Sequence, residues 1–482
     1  MVLGQPLDWL GVAVAVAAVW AVVPASAIPL WVSAVALALI VYVGVRFVSD
    51  VLTRRDVARA CEERQFRVAI VGGGASSIAA AHYLSQRGIP YTVIERSGSL
   101  GGTWHENTYP GCACDVPSHL YSFSFAYNAS WSQRWSSQSE ILRYLESVID
   151  AQHMRPHVLL NTEVLEARWS EADAQWDLLV RLTDSDSNSD ADHQEQWLRF
   201  SAVISATGQL NKPKVPEFSG RESFEGAAFH SAQWRHEVEL RDKNVVCIGT
   251  GASAIQLVPE VAKVAKHLTV VQRSPSWVMP KGNAAFSSVT QLVFRYVPLV
   301  LTLYRYWLYL SLDFNWIVMP KDSAASRFTE RWLTKVLERS VADAALRKAL
   351  LPDFPVGCKR LLITDDYLPA LQLPNVRLVA GTLERILPNA VRVVPFNDGN
   401  GDGDASTSAV QIPADVIVYS TGFDTTHFCM PIRYYGREGL EIQQAFQDSP
   451  AAYLGITVPQ FPNFFMLYGP NTNLGHSSIM YV

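Results

Sequence analysis

The longest feature of the hydropathy pattern comes first. Residues 9–45 carry no charged side chain, well beyond the roughly 20 apolar residues that one membrane-spanning helix requires. Pro24, Ser26 and Pro29 interrupt this run. The pieces left, 9–23 and 27–45, predict a hairpin or a re-entrant segment plus one span, so one or two helices within a membrane anchor at 1–50. Arg46, Arg54, Arg55, Arg59 and Arg64 all follow the run, and the positive-inside rule then puts the large remainder of the chain in the cytosol. Two other readings are weaker: a signal-peptide core at 9–23 lacks a positively charged leader, and a buried helix pair needs a polar face that neither piece has.

Beyond Arg67 the pattern changes to short apolar runs punctuated by glycine. VAIVGGGASSIAAAHYLSQRGIPYTVIERS reads as strand, turn, helix and second strand. In such a βαβ unit Gly72 makes the tight turn, Gly74 lets backbone approach a pyrophosphate at the helix start, and Glu95 accepts from a ribose hydroxyl. Ser77 stands where a third glycine would serve close packing. The grammar returns from Asn244, in NVVCIGTGASAIQLVPEVA and then LTVVQRS, with Gly249, Gly251 and Ala254 as the glycine-rich turn. This second strand ends at Gln272 and Arg273 rather than at an acid. A cation there meets a 2′-phosphate, which favours NADP(H) over NAD(H), although Arg273 also reads as an ordinary surface arginine. Two such units describe a two-domain flavoprotein oxidoreductase, flavin first and nicotinamide second. The predicted fold class is α/β, with two Rossmann-like dinucleotide-binding domains (FAD and NADP) and an N-terminal transmembrane segment. The predicted division is 1–50 anchor, 65–212 first part of the FAD domain, 213–380 NADP domain with a helical insert at about 284–350, and 381–482 second part of the FAD domain.

Composition supports this outline. The chain has 482 residues, 49% of them hydrophobic, enough for several cores. Lys+Arg 40 against Asp+Glu 45 gives a net charge of −5, which argues against a nucleic-acid partner. A charged fraction of 18% is below the ~25% of ordinary soluble chains, consistent with part of the chain meeting membrane lipid. The six cysteines, at 61, 112, 114, 247, 358 and 429, form no CxxC pair and read as reduced thiols in a cytosolic setting. No metal site is expected: DGNGDG at 398–403 opens like a calcium loop, but its twelfth position is Ala409, so it reads as a solvated hairpin loop. The acidic, Ser-rich stretch from Asp184 reads as a surface insertion. The sequon Asn128-Ala129-Ser130, on the cytosolic side, is expected to be unmodified. Residues 286–317 are rich in aromatic and aliphatic side chains but interrupted by Arg295, Arg305 and Asp313. They read as a substrate-side helical insert rather than a span, with helices able to rest on a bilayer.

The segment after the first unit separates the possible chemistries. Disulfide reductases of similar architecture place redox cysteines here, whereas this chain has Gly101-Gly102-Thr103-Trp104, and Cys112 and Cys114 are too close for a helical dithiol. The stretch GGTWHENTYPGCACDVPSHLYSFSF resembles instead the signature of type I Baeyer–Villiger monooxygenases, through Gly101, Gly102, Trp104, Tyr109, Pro110, Gly111 and Asp115. The second signature of that family, FxGxxxHxxxW, is met by Phe224, Gly226, His230 and Trp234. Related N- and S-oxygenating flavin monooxygenases have Tyr or Phe where Trp234 stands. The family pattern continues with Pro or Asp, whereas this chain has Arg235. Ser205-Ala206-Thr207-Gly208, Ser420-Thr421-Gly422-Phe423-Asp424 and the stretch from Gly357 to Val379 also match, so the resemblance covers nearly everything from Arg67 onward.

The resemblance implies that NADPH reduces FAD, that O₂ adds to the reduced flavin, and that the resulting C4a-peroxyflavin delivers one oxygen atom to a ketone. Such an anion needs a fixed positive charge in a dry site, for which arginine is suited. The family's Lys-Arg pair falls on Lys359 and Arg360, which assigns Arg360 that role, with Asp115 holding it. His230 and Trp234 resemble linker residues that coordinate domain movement rather than bond-making. For FAD the resemblance and the first unit together indicate Gly72, Gly74, Ser77, Glu95, Gly102, Thr103, Trp104, Asp115, Tyr121 and Val164. For NADP they indicate Gly249, Thr250, Gly251, Ala252, Ser253, Ala254, Gln256, Gln272, Arg273, Lys359 and Arg360. The expected partners are O₂, a small hydrophobic ketone and membrane lipid. N- or S-oxygenation of an amine or thioether is the first alternative, and an NADPH oxidase or inactive flavin-binding membrane protein the second. Relatives continue past the point corresponding to Val482; if these residues are the whole product, part of the flavin-side C-terminal structure is expected to be missing.

Overall fold

The structure, a computed structural model, describes residues 30–183, 194–321, 323–396 and 409–473, together with Ser478 and Met480. The apolar piece at 9–23, most of the acidic stretch after Asp184 and the DGNGDG loop lie outside the described residues. Helix α1 is Leu30–Glu63. It takes up most of the piece 27–45 and runs on through Arg46, Asp50 and Arg54, since no Pro follows Pro29 until the helix is complete. No helix among the described residues is long and apolar enough to cross a membrane. The far end of α1 docks on the body: Cys61 is buried, and a Cβ on Gly88 would stand 3.0 Å from that of Ala58.

The first sheet has five parallel strands in the order Phe464–Met466, Ala202–Ser205, Val68–Val71, Tyr91–Ile94 and Val158–Leu159. Val68–Val71 is buried on both faces, which is why it reads as an unbroken apolar run. Helices α2, Ala75–Gln86, and α4, Gln138–Ala151, cover one face through Ile78, Ala81, Leu145 and Ile149; the short α3, Thr103–Glu106, lies between them in sequence. A mixed four-stranded sheet covers the other face. Its strand Gln175–Leu182 alternates buried and half-buried positions, and Trp176, Leu178 and Val180 pack with Ala69, Val71 and Val203.

The second sheet has seven strands: Val410–Pro413, Ala390–Pro395, Val376–Leu387, His267–Gln272, Asn244–Ile248, Val416–Tyr419 and Ala227–His230. Its centre is parallel and one edge is an antiparallel hairpin. Helix α5, Ala252–Ala262, buries Ala254, Leu257 and Val258 against it. This sheet reaches beyond residue 380, since the strands between 390 and 419 belong to it; the chain rejoins the first sheet only at Phe464. The segment after the second unit is helical: α6, Ser288–Tyr296, α7, Pro298–Asp313, and α8, Ala324–Ser340. It leaves the second sheet's side of the molecule, yet Leu308 of α7 enters the core of the first.

Candidate active site

Each glycine-rich turn is fixed by what a side chain there would strike. Gly72 has φ +104°, and a Cβ would lie 2.7 Å from the Ala206 carbonyl oxygen. Gly249 repeats this with φ +109° and the Ser420 carbonyl oxygen at 2.4 Å. Gly74 and Gly251 then occupy the N-cap positions of α2 and α5 without a side-chain cap, and neither helix has an acid in its first turn. Uncapped N–H groups with the positive end of the helix dipole suit a phosphate. A Cβ on Gly251 would meet no heavy atom within 4 Å, so open space faces this turn. At the first turn Gly102 closes in, its imagined Cβ 2.8 Å from the Gly74 Cα. The residues present therefore fit a dinucleotide at both turns.

The surrounding positions differ between the units. Glu95 is buried and its carboxylate accepts from the backbone N–H groups of Gly73 and Ser97. Ser77 is fully buried, and its hydroxyl donates to the Gly74 carbonyl at 2.9 Å. Gln272 is also buried, but its amide is spent on the Ala349 carbonyl at 2.7 Å. Arg273 is exposed next to it. Lys359 donates to the Ser274 hydroxyl at 3.1 Å, so two cations gather at this strand end. Thr250 donates to the Ser274 carbonyl at 3.2 Å. Val164 lies in the core between the first sheet and its covering sheet.

The flavin-side signature folds over the second unit. Trp104 donates from its indole to the Tyr121 hydroxyl at 2.9 Å, and Gln138 holds the Trp104 carbonyl. Gln256 of α5 spans the two units: its Nε2 donates to the Ala113 carbonyl at 2.9 Å, and its Oε1 accepts from the Tyr109 hydroxyl at 2.9 Å. A Cβ on Gly111 would lie 2.4 Å from the Gln256 carbonyl oxygen, so only glycine permits this approach. Asp115 Oδ2 meets Arg360 Nε at 2.7 Å. Burial opposes the Arg360 charge, but the attraction and hydrogen bond of Asp115 outweigh it and hold the guanidinium above its ordinary range. Both side chains remain partly exposed. Lys281 lies near the same carboxylate; burial pulls its ammonium below the usual range against the raising influence of Cys114 and Asp115. Burial also pushes the Cys112 thiol up to about 11. His230 accepts from the Ala232 N–H at 3.1 Å, and Trp234 packs edge-on against Phe229 with centroids 5.2 Å apart. Both thus shape the turn after the edge strand of the second sheet. Arg235 forms an exposed pair with Glu237 at 2.7 Å.

Three features escape a reading of motifs. Gln256 sits inside the second glycine-rich unit, but its side chain serves the contact between the units. Lys281 lies 166 positions from Asp115 and no spacing links them. Arg305, an interruption in an apolar stretch, is buried and donates to the carbonyls of His119 and Ser122 while lying 4.2 Å from the Tyr127 ring centroid. The signal for the last was available: a lone arginine in an apolar helix must find acceptors.

The flavin-binding monooxygenase-like family matches residues 65–299. A Baeyer–Villiger monooxygenase of Streptomyces coelicolor is 38% identical over 416 residues, 86% of this chain and 75% of that protein. One of Pseudomonas aeruginosa is 36% identical over 420 residues, 87% of this chain and 75% of that protein. Among solved structures, OTEMO in complex with FAD and NADP is similar with a TM-score of 0.70 and 28% identity, covering 84% of this chain and 80% of its own. Cyclohexanone monooxygenase from Rhodococcus sp. Phi1 bound to NADP+ gives 0.72 and 26%, covering 86% and 82%.

Proposed function

The chain belongs to the Baeyer–Villiger monooxygenases, and on that premise we propose how its residues divide the work of an FAD- and NADPH-dependent oxygenation. The overall reaction takes a ketone, O₂, NADPH and a proton to an ester, NADP⁺ and water. Bound FAD supplies the redox and oxygen-transfer chemistry, and NADPH the hydride.

Gly72, Gly74 and the start of α2 receive the FAD pyrophosphate, and Glu95 accepts from its ribose. Gly102, Thr103, Trp104 and Tyr121 line the flavin side, with Ser77 and Val164 packing beneath it. Gly249 to Ala254 and the start of α5 receive the NADP pyrophosphate, and Arg273 with Lys359 receives its 2′-phosphate. Gln256 keeps the two units in register by holding Tyr109 and Ala113.

The observation that carries this reading is the Asp115–Arg360 pair at 2.7 Å. It joins the flavin-side signature to the loop that follows the insert. Arg360 is a permanent cation held by Asp115, and the guanidinium has four further N–H donors beyond the bonded Nε–H. These can stabilise negative charge developing at the site where oxygen reaches the ketone. Arg360→Ala is expected to oxidise NADPH still, but to lose ester formation by about 10²–10³-fold. Undiminished ester formation would overturn the assignment.

The uncharged run at 9–45 supports a finer reading, in which the enzyme is membrane-attached with its catalytic part on the cytosolic side and takes a hydrophobic ketone. Partition of the full chain between membrane and supernatant fractions after carbonate washing tests that attachment.

A further inference from the structure

Helix α7 is apolar on two opposite faces, and only one of them is covered. Its inner face presents Leu301, Arg305 and Leu308, all buried. Arg305 fastens this face through the carbonyls of His119 and Ser122, and His119 is wedged among the ring edges of Phe286, Phe294 and Tyr304 at 4.9–5.4 Å. Burial, helped by the Arg305 charge, pushes this histidine down to about 3, so it stays neutral and adds no charge to the joint. The outer face presents Leu299, Leu303, Tyr306, Trp307 and Leu310, with Phe314 following at the helix end, each at least half exposed. Val289 and Tyr296 on α6 and Phe328 and Trp332 on α8 are likewise exposed, with Tyr296 at 74% and Phe328 at 72%. A helix apolar all round belongs inside a core or against lipid, and exposed apolar area concentrated in this way marks an interaction surface.

We infer that the outer face of the insert docks on an anionic lipid bilayer, lying in the interface rather than spanning it. Three observations select lipid. From 288 to 340, leaving out the buried Arg305, there are six Lys/Arg against four Asp/Glu, in a chain whose net charge is −5. Lys321, Arg331 and Lys335 are exposed beside the aromatic face, as in interfacial helices whose rings sit at headgroup depth and whose cations meet anionic lipid. A second copy of the chain fits worse, because a two-fold contact would set this positive segment against itself. The same chain also carries the uncharged run at 9–45, so the insert would give a second attachment point. This inference does not depend on the assignment of the catalytic residues.

Photo-crosslinking of the full-length enzyme tests it directly. Vesicles of phosphatidylcholine with phosphatidylglycerol, a fraction of the lipid carrying a diazirine in its acyl chain, are irradiated with the enzyme and the labelled peptides identified. Labelling of peptides from α6, α7 and α8 is expected, weakened when phosphatidylglycerol is omitted or salt is raised. The double variant Leu299→Glu with Leu303→Glu should lose insert labelling by about tenfold or more, since each carboxylate is costly in hydrocarbon. Labelling at 9–45 and turnover of a water-soluble ketone should persist in that variant. Labelling confined to 9–45 in the wild type, or insert peptides protected without vesicles by a second copy or by residues 9–29, would overturn the inference.

Discussion

The two glycine-rich units begin alike and end differently. Each opens with a buried strand, a positive-φ glycine pressed against a carbonyl just past the end of a neighbouring strand, and a helix with an uncapped start. At the end of the next strand, Glu95 is buried and bonded to the backbone of its own turn, whereas Gln272 is buried facing away and leaves the outward position to Arg273. On the proposed assignment, the common half would receive what every dinucleotide shares, the pyrophosphate, and the differing half would read the ribose, where a carboxylate suits a free hydroxyl and a cation a phosphorylated one.

The comparison is broken most severely at the shared glycines. Gly72→Ala must place a methyl 2.7 Å from the Ala206 carbonyl oxygen and adopt φ +104°, and Gly249→Ala faces 2.4 Å and φ +109°. Neither fits without moving backbone. Gly72→Ala is expected to purify without bound flavin, and Gly249→Ala to keep flavin at nearly wild-type content but lose reduction by NADPH. Absorbance of the purified proteins near 450 nm, followed by anaerobic NADPH addition, distinguishes them. Flavin loss from the second variant alone would reverse the order of the two units.

A smaller change isolates the differing half. Arg273→Ala removes a charge-assisted contact from the 2′-phosphate end, so KM for NADPH should rise roughly ten- to a hundredfold while KM for NADH changes little. Equal effects on the two cofactors would make Arg273 an ordinary surface arginine and shift the discrimination to Lys359, which already holds Ser274 at 3.1 Å.

How much of this was legible in the sequence follows the same division. Local chemistry was: the glycine turns, Glu95, the Trp104 segment and the helical insert all stand where strand, turn and helix signals put them. The Asp115–Arg360 pair was legible only through family resemblance, because 245 positions separate the partners and no spacing rule spans them. The role of Gln256 lay outside reach for a related reason. Its motif belongs to the second unit, but its amide turns to Tyr109 and Ala113 in a segment that only the folded chain brings near. The membrane expectation shows the limit from the other side. Absence of charge over 9–45 indicates what such residues tolerate as surroundings, while where a helix stops depends on breakers: the run's last proline is Pro29, and α1 continues from Leu30 through charged residues to Glu63.

The smallest effect bears on the one position where the first unit departs from three glycines. Ser77 occupies the place of the third, and the second unit has Ala254 there; both are fully buried. If this position serves only helix-to-strand packing, the Ser77 hydroxyl is an accommodated extra, satisfied by the Gly74 carbonyl at 2.9 Å. Ser77→Ala then removes donor and need together at the first turn of α2, and should change stability by about 1 kcal/mol or less. Flavin content and the rate of reduction by NADPH should stay at wild-type values. The thermal midpoint measured with bound flavin, set beside the flavin dissociation constant, separates the two cases. A small shift in the midpoint with unchanged affinity makes the position structural in both units. A tenfold loss of flavin affinity would instead mean that the hydroxyl turns toward the pyrophosphate when FAD binds, and the two units would then differ at their beginnings as well as at their ends.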